Sequence, residues 1–369
     1  MKITSAKIYH VNLPLKEPFI VSYHYHGSIP SVILELHTDV GIIGYGEGTP
    51  DEHVTGETIE SVMTSLENYL LPSIKGISPF QIEELHQIMN KKLHGNPSAK
   101  AAIDIACYDL MGKYIKQPVY SLLGGKYHPS LEVPVVISIL EPEEMASKAL
   151  QAKNDGFSSI KLKVGTNPND DIARVKAVRE AVGNMYSIKV DVNQGWHTAD
   201  QALKAIKALE ELNIEWLEQP TLADDIDTLA WIRSKTFIPI MADESVHGIK
   251  ELREIIAKQA ADKINIKLMK SSGLYKGAQL VHIAEMAGLT CQIGSMVESS
   301  IGSLAGLHLA TAKKSIHSHE LVGPWMLSND VCDIQFGNHT IELSDKPGLG
   351  IEIDQVRLDE LTVTSVVVD

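Results

Sequence analysis

Cysteine is scarce in this 369-residue sequence, which holds only Cys107, Cys291 and Cys332. Their spacing suits neither a disulfide framework nor a zinc cluster, so buried free thiols are expected. Long hydrophobic runs are also missing: no apolar stretch approaches the ~18–20 residues that span a bilayer. The opening segment MKITSAKIYHVNLPL alternates like a strand. It lacks the apolar core and small-residue cleavage site of a signal peptide, so a cytoplasmic location is expected. Basic residues are in deficit, 33 against 47 acidic ones, for a formal net charge of −14. That balance argues against a nucleic-acid or anionic-membrane partner. An anionic small molecule is still compatible, because a bound cation reverses the sign locally.

What is present has the balance of an ordinary globular protein, 44% hydrophobic and 22% charged. The length suits a barrel of roughly 250 residues plus a smaller domain. Ile3–Leu13 and Ser31–Asp39 read as strands, and Gly41–Gly46 as a turn into another extended piece. Thr58–Leu71, Pro79–Leu93 and Ser98–Lys113 then read as helices, giving an α+β capping unit over residues 1–125. Gly124, Gly125 and Pro129 mark its boundary.

Beyond it, short β-rich runs alternate with amphipathic helical segments. The runs are Val133–Ser138, Ser159–Val164, Ser187–Val192, Ile214–Glu218, Ile238–Asp243, Lys263–Leu268, Thr290–Gly294 and Ser315–Val322. Their ends recur roughly every 25 residues, as in a repeated strand–helix unit. Eight such strands close into an α/β barrel, of (β/α)8 type or a modified (β/α)7β form, over residues 126–325. A doubly wound open sheet is disfavoured, because no G-x-G-x-x-G follows the first strand. Residues 326–369 are expected to leave the barrel and pack back on the capping unit.

Barrel enzymes work at the C-terminal ends of their strands. The second run ends Lys161-Leu162-Lys163, and alternation puts both lysines on one face, toward the barrel mouth. Two cations side by side need facing anions. Asp191, Glu218 and Asp243 end the next three runs. Hard oxygen ligands of this kind suit Mg²⁺ better than Zn²⁺. Asn193 and Glu244 stand beside them and could hold the ligands by hydrogen bonds. The sixth run supplies Lys267, four strands from Lys163 and therefore across the barrel. A carboxylate substrate held between the two lysines would show each of them one face of its α-carbon, the geometry for removing a proton on one side and returning it on the other.

These segments resemble the enolase superfamily, specifically its muconate-lactonizing-enzyme subgroup. The likeness runs through IKLKVG (160–165), DVNQGW (191–196), WLEQP (216–220), MADES (241–245), INIKLMKSSG (264–273) and GSMVESS (294–300). Gly44–Gly48, Thr55–Glu57 and Ala99–Gly112 extend it into the capping unit. The resemblance implies Asp191, Glu218 and Asp243 as ligands of Mg²⁺, with Mn²⁺ as a substitute, and Lys163 with Lys267 as the acid/base pair. It implies that Lys161 polarises a substrate carboxylate. Glu298, read as ending strand seven, falls where the subgroup has a glutamate near the substrate, and Ser295 and Glu320 join it as substrate-binding candidates.

Within the subgroup, dipeptide epimerases typically carry Asp-x-Asp at the end of strand eight. Here the stretch is Glu320-Leu321-Val322-Gly323-Pro324, so the second acid is missing. The chain looks closer to N-succinylamino acid racemases, especially those acting on N-succinyl-arginine or -lysine, through DEHVTGE (51–57), ADDID (223–227), ELVGP (320–324) and KPGLGIE (346–352). The expected activity is racemisation of N-acylamino acids through an enediolate. Dipeptide epimerisation, cycloisomerisation, o-succinylbenzoate synthesis and dehydration are alternatives on the same site. Asp51 and Glu52 could attract a cationic side chain at the pocket mouth. The segment Val21–Ser31 reads as a lid loop, with Tyr25 and His26 as substrate contacts. A homo-oligomer is expected.

Overall fold

The computed structural model describes residues 1–334 and 339–369. Its N-terminal strands β1 (Ile3–Ile20), β2 (Tyr25–Thr38) and β3 (Ile43–Gly48) form an antiparallel meander. Both long strands outrun their expected limits. Side-chain alternation fades at Pro14, but the backbone pairing resumes beyond an irregularity, with Phe19 opposite His26 and Ile20 opposite Tyr25. Tyr25 and His26 therefore belong to a paired strand rather than to a lid loop. The true turn shrinks to the residues between Ile20 and Tyr25, closed by Val21 N–H donating to the His24 carbonyl at 3.0 Å.

β3 begins inside the stretch expected to be a turn, because its glycines serve packing. Gly44, Gly46 and Gly48 share one face, and that face lies on the helix Pro97–Ile115. A Cβ on Gly46 would come within 1.9 Å of the Ala102 carbonyl oxygen. The opposite face of β3 carries Tyr45 and Glu47 toward the rest of the molecule. The helix is buried continuously from Ser98 to Gly112, wedged between β3 and the barrel.

Eight parallel strands in sequential order make the curled sheet of the barrel: Val135–Ile137, Ser159–Lys163, Ser187–Asp191, Trp216–Glu218, Ile240–Ala242, Lys263–Ile266, Thr290–Ile293 and Ile316–His319. Full-length helices follow the first seven, and the eighth leads directly into the short Gly323–Met326 turn, which is the (β/α)7β form. On the second and third strands Ile160, Leu162, Ile188 and Val190 are fully buried among apolar neighbours, while Lys161, Lys163, Lys189 and Asp191 take the alternate face.

After the barrel the chain returns. Thr340–Ile341 pairs with Leu131–Glu132, and the last strand, Thr362–Val368, pairs antiparallel with β1 from Ala6 to Val11. Asp109 in the Pro97–Ile115 helix ties the parts together by accepting from Tyr45 N–H at 2.9 Å and Leu349 N–H at 2.8 Å. Among the described residues no helix is long and apolar enough to cross a membrane.

Gly46→Ala tests the glycine face. Its methyl group meets backbone that cannot move aside, so a loss of about 1–3 kcal/mol or more is expected, read as a lower denaturant midpoint with unchanged slope.

Candidate active site

Strand register builds the site. Lys163 pairs with Asp191 and Asp191 with Glu218, so the ends of strands two, three and four form one rung at the barrel mouth. Asp243 follows strand five directly, and Lys267 follows strand six, where it caps the short helix Leu268–Ser271. These two strands end one residue before the charged group, because the Asp243 carbonyl already accepts from Val246 N–H and the Lys267 carbonyl from the N–H groups of Lys270 and Ser271.

Asp191, Glu218 and Asp243 are fully buried, and each offers a carboxylate oxygen within 4.8 Å of the others. Among the described residues this is the one such cluster. Four lysines surround it. Lys161 Nζ stands 2.8 Å from Asp191 and 2.9 Å from Glu218, and also pairs with Glu320. Lys163 Nζ lies 2.6 Å from Asp191 and donates to Asn193 Oδ1 at 3.1 Å. Lys267 Nζ lies 2.8 Å from Asp243, and Lys270 binds the other oxygen of that carboxylate.

Lys270 and Asn265 were not foreseen from the sequence. Asn265 donates to Glu218 Oε1 at 2.8 Å. It sits two residues before Lys267 on the same strand face, between Ile264 and Ile266, which is the signal that could have found it. Lys270 reaches Asp243 only because the chain turns into a single helical turn after Lys267. Periodicity over so few residues carries no such information.

The charges interact strongly. Burial alone would raise the Asp191 carboxyl, but Lys161 and Lys163 hold it down at about 2. Asp243 is likewise held well below the usual carboxylate range, as Lys267 and Lys270 outweigh its burial. Glu218 goes the other way: burial and the neighbouring Asp191 charge push it well above that range. Burial also opposes the charged forms of Lys161 and Lys267, yet the carboxylates beside each keep them protonated. A set of three hard oxygen donors, one of them reluctant to ionise beside its neighbours, fits a divalent cation. Behind it, Asn193 bridges by donating to Glu244 Oε1 at 3.0 Å. Glu244 is pushed up to about 7 by burial and by Asp243 and Asp191, and its Oε2 has no hydrogen-bond partner among the described residues.

A cavity of about 400 Å³ opens above, with Lys163, Asn193 and Lys267 on its floor. Three walls enclose it: the hairpin tip Tyr23–His26, the loop Asp51–His53, and Ser295–Val297 after strand seven. Tyr25 is 60% exposed and stands at the rim, while the His24 and His26 rings lie 4.3 Å apart. Asp51 is already engaged, its Oδ1 accepting from His53 and Val54 N–H and its Oδ2 from Tyr23 Oη at 3.3 Å. Glu52 is exposed.

Two candidates are placed differently from expectation. Glu298 does not end strand seven, which stops at Ile293; it lies at the close of the following loop, buried, with Oε2 accepting from Ser295 Oγ. Glu320 turns beneath the floor, where it accepts from Gln292 Nε2 at 2.9 Å and pairs with Lys161. Both acids satisfy protein donors.

Residues 144–357 match the enolase C-terminal domain-like family, and residues 3–124 match the mandelate racemase / muconate lactonizing enzyme N-terminal domain. The chain belongs to the enolase superfamily. Within that superfamily it is 51% identical to an N-succinyl-L-Arg/Lys racemase of Bacillus cereus over 98% of both chains. The crystal structure of the N-succinyl Arg/Lys racemase from that organism superposes with a TM-score of 0.99 over 100% of each chain. A dipeptide epimerase of Enterococcus faecalis, solved with Mg and the dipeptide L-Leu-L-Tyr, is 40% identical, with a TM-score of 0.92 over 95% of this chain and 99% of that one.

Addition of Mg²⁺ is expected to raise the unfolding temperature and EDTA to reverse it, with a gain of about 2.7 kcal/mol at a hundredfold excess over Kd. Asp191→Asn, monitored by the same thermal scan, should abolish most of the shift.

Proposed function

We propose that this enolase-superfamily enzyme racemises N-acylamino acids, specifically N-succinylamino acids with basic side chains such as arginine and lysine. The observation that carries the reading is the cavity floor, where Lys163 and Lys267 flank the three carboxylates from strands four apart. One lysine takes the α-proton as a neutral amine, and the other returns a proton to the opposite face as an ammonium. Asp191, Glu218 and Asp243 would hold Mg²⁺, replaceable by Mn²⁺. When bound, the ion supplies positive charge for the substrate carboxylate and relieves the lysines of their carboxylate partners. Lys161 polarises that carboxylate from below, and Asn193 with Glu244 keeps Lys163 oriented.

The cavity walls supply the substrate contacts: Tyr25, His26, Asp51, Glu52 and Ser295, with Glu298 and Glu320 acting from behind through Ser295 and Lys161. The acidic rim at Asp51 and Glu52 favours a cationic side chain. The 51% identity to an N-succinyl-L-Arg/Lys racemase supports the same substrate class. Dipeptide epimerisation is the second reading, favoured by the relative solved with L-Leu-L-Tyr. Against it, the strand-eight segment has no acid two residues past Glu320, so a free α-ammonium finds no clamp there. The chain is read as a cytoplasmic homo-oligomer without a nucleic-acid partner, the last in keeping with its net charge of −14.

N-succinyl-L-arginine and N-succinyl-L-lysine should lose optical rotation with the enzyme, while L-Leu-L-Tyr should not epimerise at a comparable rate. Lys163→Ala and Lys267→Ala should each cut interconversion by about 10²–10⁴-fold. Each variant should still exchange the α-proton of one enantiomer with deuterium, and opposite enantiomers for the two variants. Full racemase activity in both would sink the two-base reading.

A further inference from the structure

Glu47 is a fully buried carboxylate on β3 that no step above uses. Its hydrogen-bond donors come from the segments that continue into each wall of the cavity. Oε1 accepts from Ser31 Oγ at 2.8 Å, Thr49 Oγ1 at 3.2 Å and Ser299 N–H at 2.9 Å. Oε2 accepts from Ser299 Oγ at 2.6 Å and Gly302 N–H at 2.8 Å. Ser31 lies on β2, the strand that begins at Tyr25 and His26 in the hairpin wall. Thr49 leads into the Asp51–His53 wall and itself borders the cavity. Ser299 closes the Ser295–Val297 wall and caps the helix Ser300–Ala312, whose first-turn N–H groups favour an anion.

The third wall needs such an anchor. Val297 has φ of +63°, a left-handed conformation that a β-branched residue adopts only under constraint. Gly302 leaves the room: a Cβ there would come within 2.9 Å of Glu47 Oε2 and 2.7 Å of Glu298 Cβ. On the other side, the glycine face of β3 presses on the Pro97–Ile115 helix, so Glu47 is held from behind.

We propose that Glu47 is a positioning residue for the substrate cavity, fixing the hairpin, the Asp51 loop and the Ser295–Val297 loop relative to one another across the junction of the capping sheet and the barrel. Asp104 provides the control. It is another buried acid of the capping unit that caps a barrel helix, accepting from Leu274 N–H and Tyr275 N–H at the start of Leu274–Met286, but it is not among the described residues that line the cavity.

The test compares Glu47→Gln with Asp104→Asn. The glutamine amide turns a donor toward groups that are themselves donors, leaving at least one without a partner. Hydrogen exchange read by mass spectrometry should quicken about tenfold in Gly294–Ser299 and Tyr23–His26 for Glu47→Gln, and stay unchanged in both for Asp104→Asn. With N-succinyl-L-arginine, Glu47→Gln should raise KM about ten- to a hundredfold with kcat and the activating Mg²⁺ concentration little changed. Asp104→Asn should lower the unfolding temperature and leave KM as it was. If Glu47→Gln does not fold, Ser299→Ala, which removes one Glu47 contact and keeps the carboxylate, should give the same pattern at smaller amplitude. Equal exchange at the walls in the two acid variants would reduce Glu47 to a structural acid and overturn the proposal. The kinetic arm rests on the racemase reading, while the exchange arm does not. Absence of turnover by the unaltered enzyme would therefore count against that reading alone.

Discussion

Asp191, Glu218 and Asp243 lie side by side with no exposure to water, and much of the barrel mouth is arranged around that fact. An unpaired buried carboxylate costs several kcal/mol even after relaxation. The protein meets this with Lys161, Lys163, Lys267 and Lys270, and with the Asn265 amide on Glu218. The same crowding that makes the cluster costly suits it to a divalent cation. Strand register supplies the crowding, since Lys163, Asp191 and Glu218 share one rung.

The capping unit is attached by related physics. Buried acids from its strands and its long helix accept from backbone N–H groups elsewhere: Glu47 at the start of Ser300–Ala312, Asp104 at the start of Leu274–Met286, and Asp109 at Leu349. For Glu47 and Asp104 helix N-termini stabilise the charge, and Asp109 is paired with its own helix neighbour Lys113 at 2.6 Å, so docking does not compete for the lysines of the site. One edge of the cavity is built from each side of this junction.

Much of the barrel could be read from the chain because its signals are local. Alternation around Lys161-Leu162-Lys163 and Ser187–Asp191 places the charged residues inward, and each strand needs only its own residues to say so. The capping strands were harder. Their pairing continues past Pro14 into a region without alternation, and the backbone pairing of Phe19 with His26 leaves no mark on side-chain type. The position of Glu298 is illegible for a comparable reason: it lies in the loop Gly294–Ser299, whose last residue bonds to Glu47, 252 positions away.

The sequence by itself determined the barrel, the order of its strands and the chemical identity of the metal-ligand and lysine candidates, because period-two patterning and residue type are properties of short segments. The tertiary structure alone decided which partners those residues take. It set Lys161 between three carboxylates, turned Glu320 beneath the floor, and brought Lys270 to Asp243. It also decided the shape of the cavity, whose walls come from three distant segments. Contacts of that kind depend on how sheets and helices pack across the whole chain, and no window of sequence contains them.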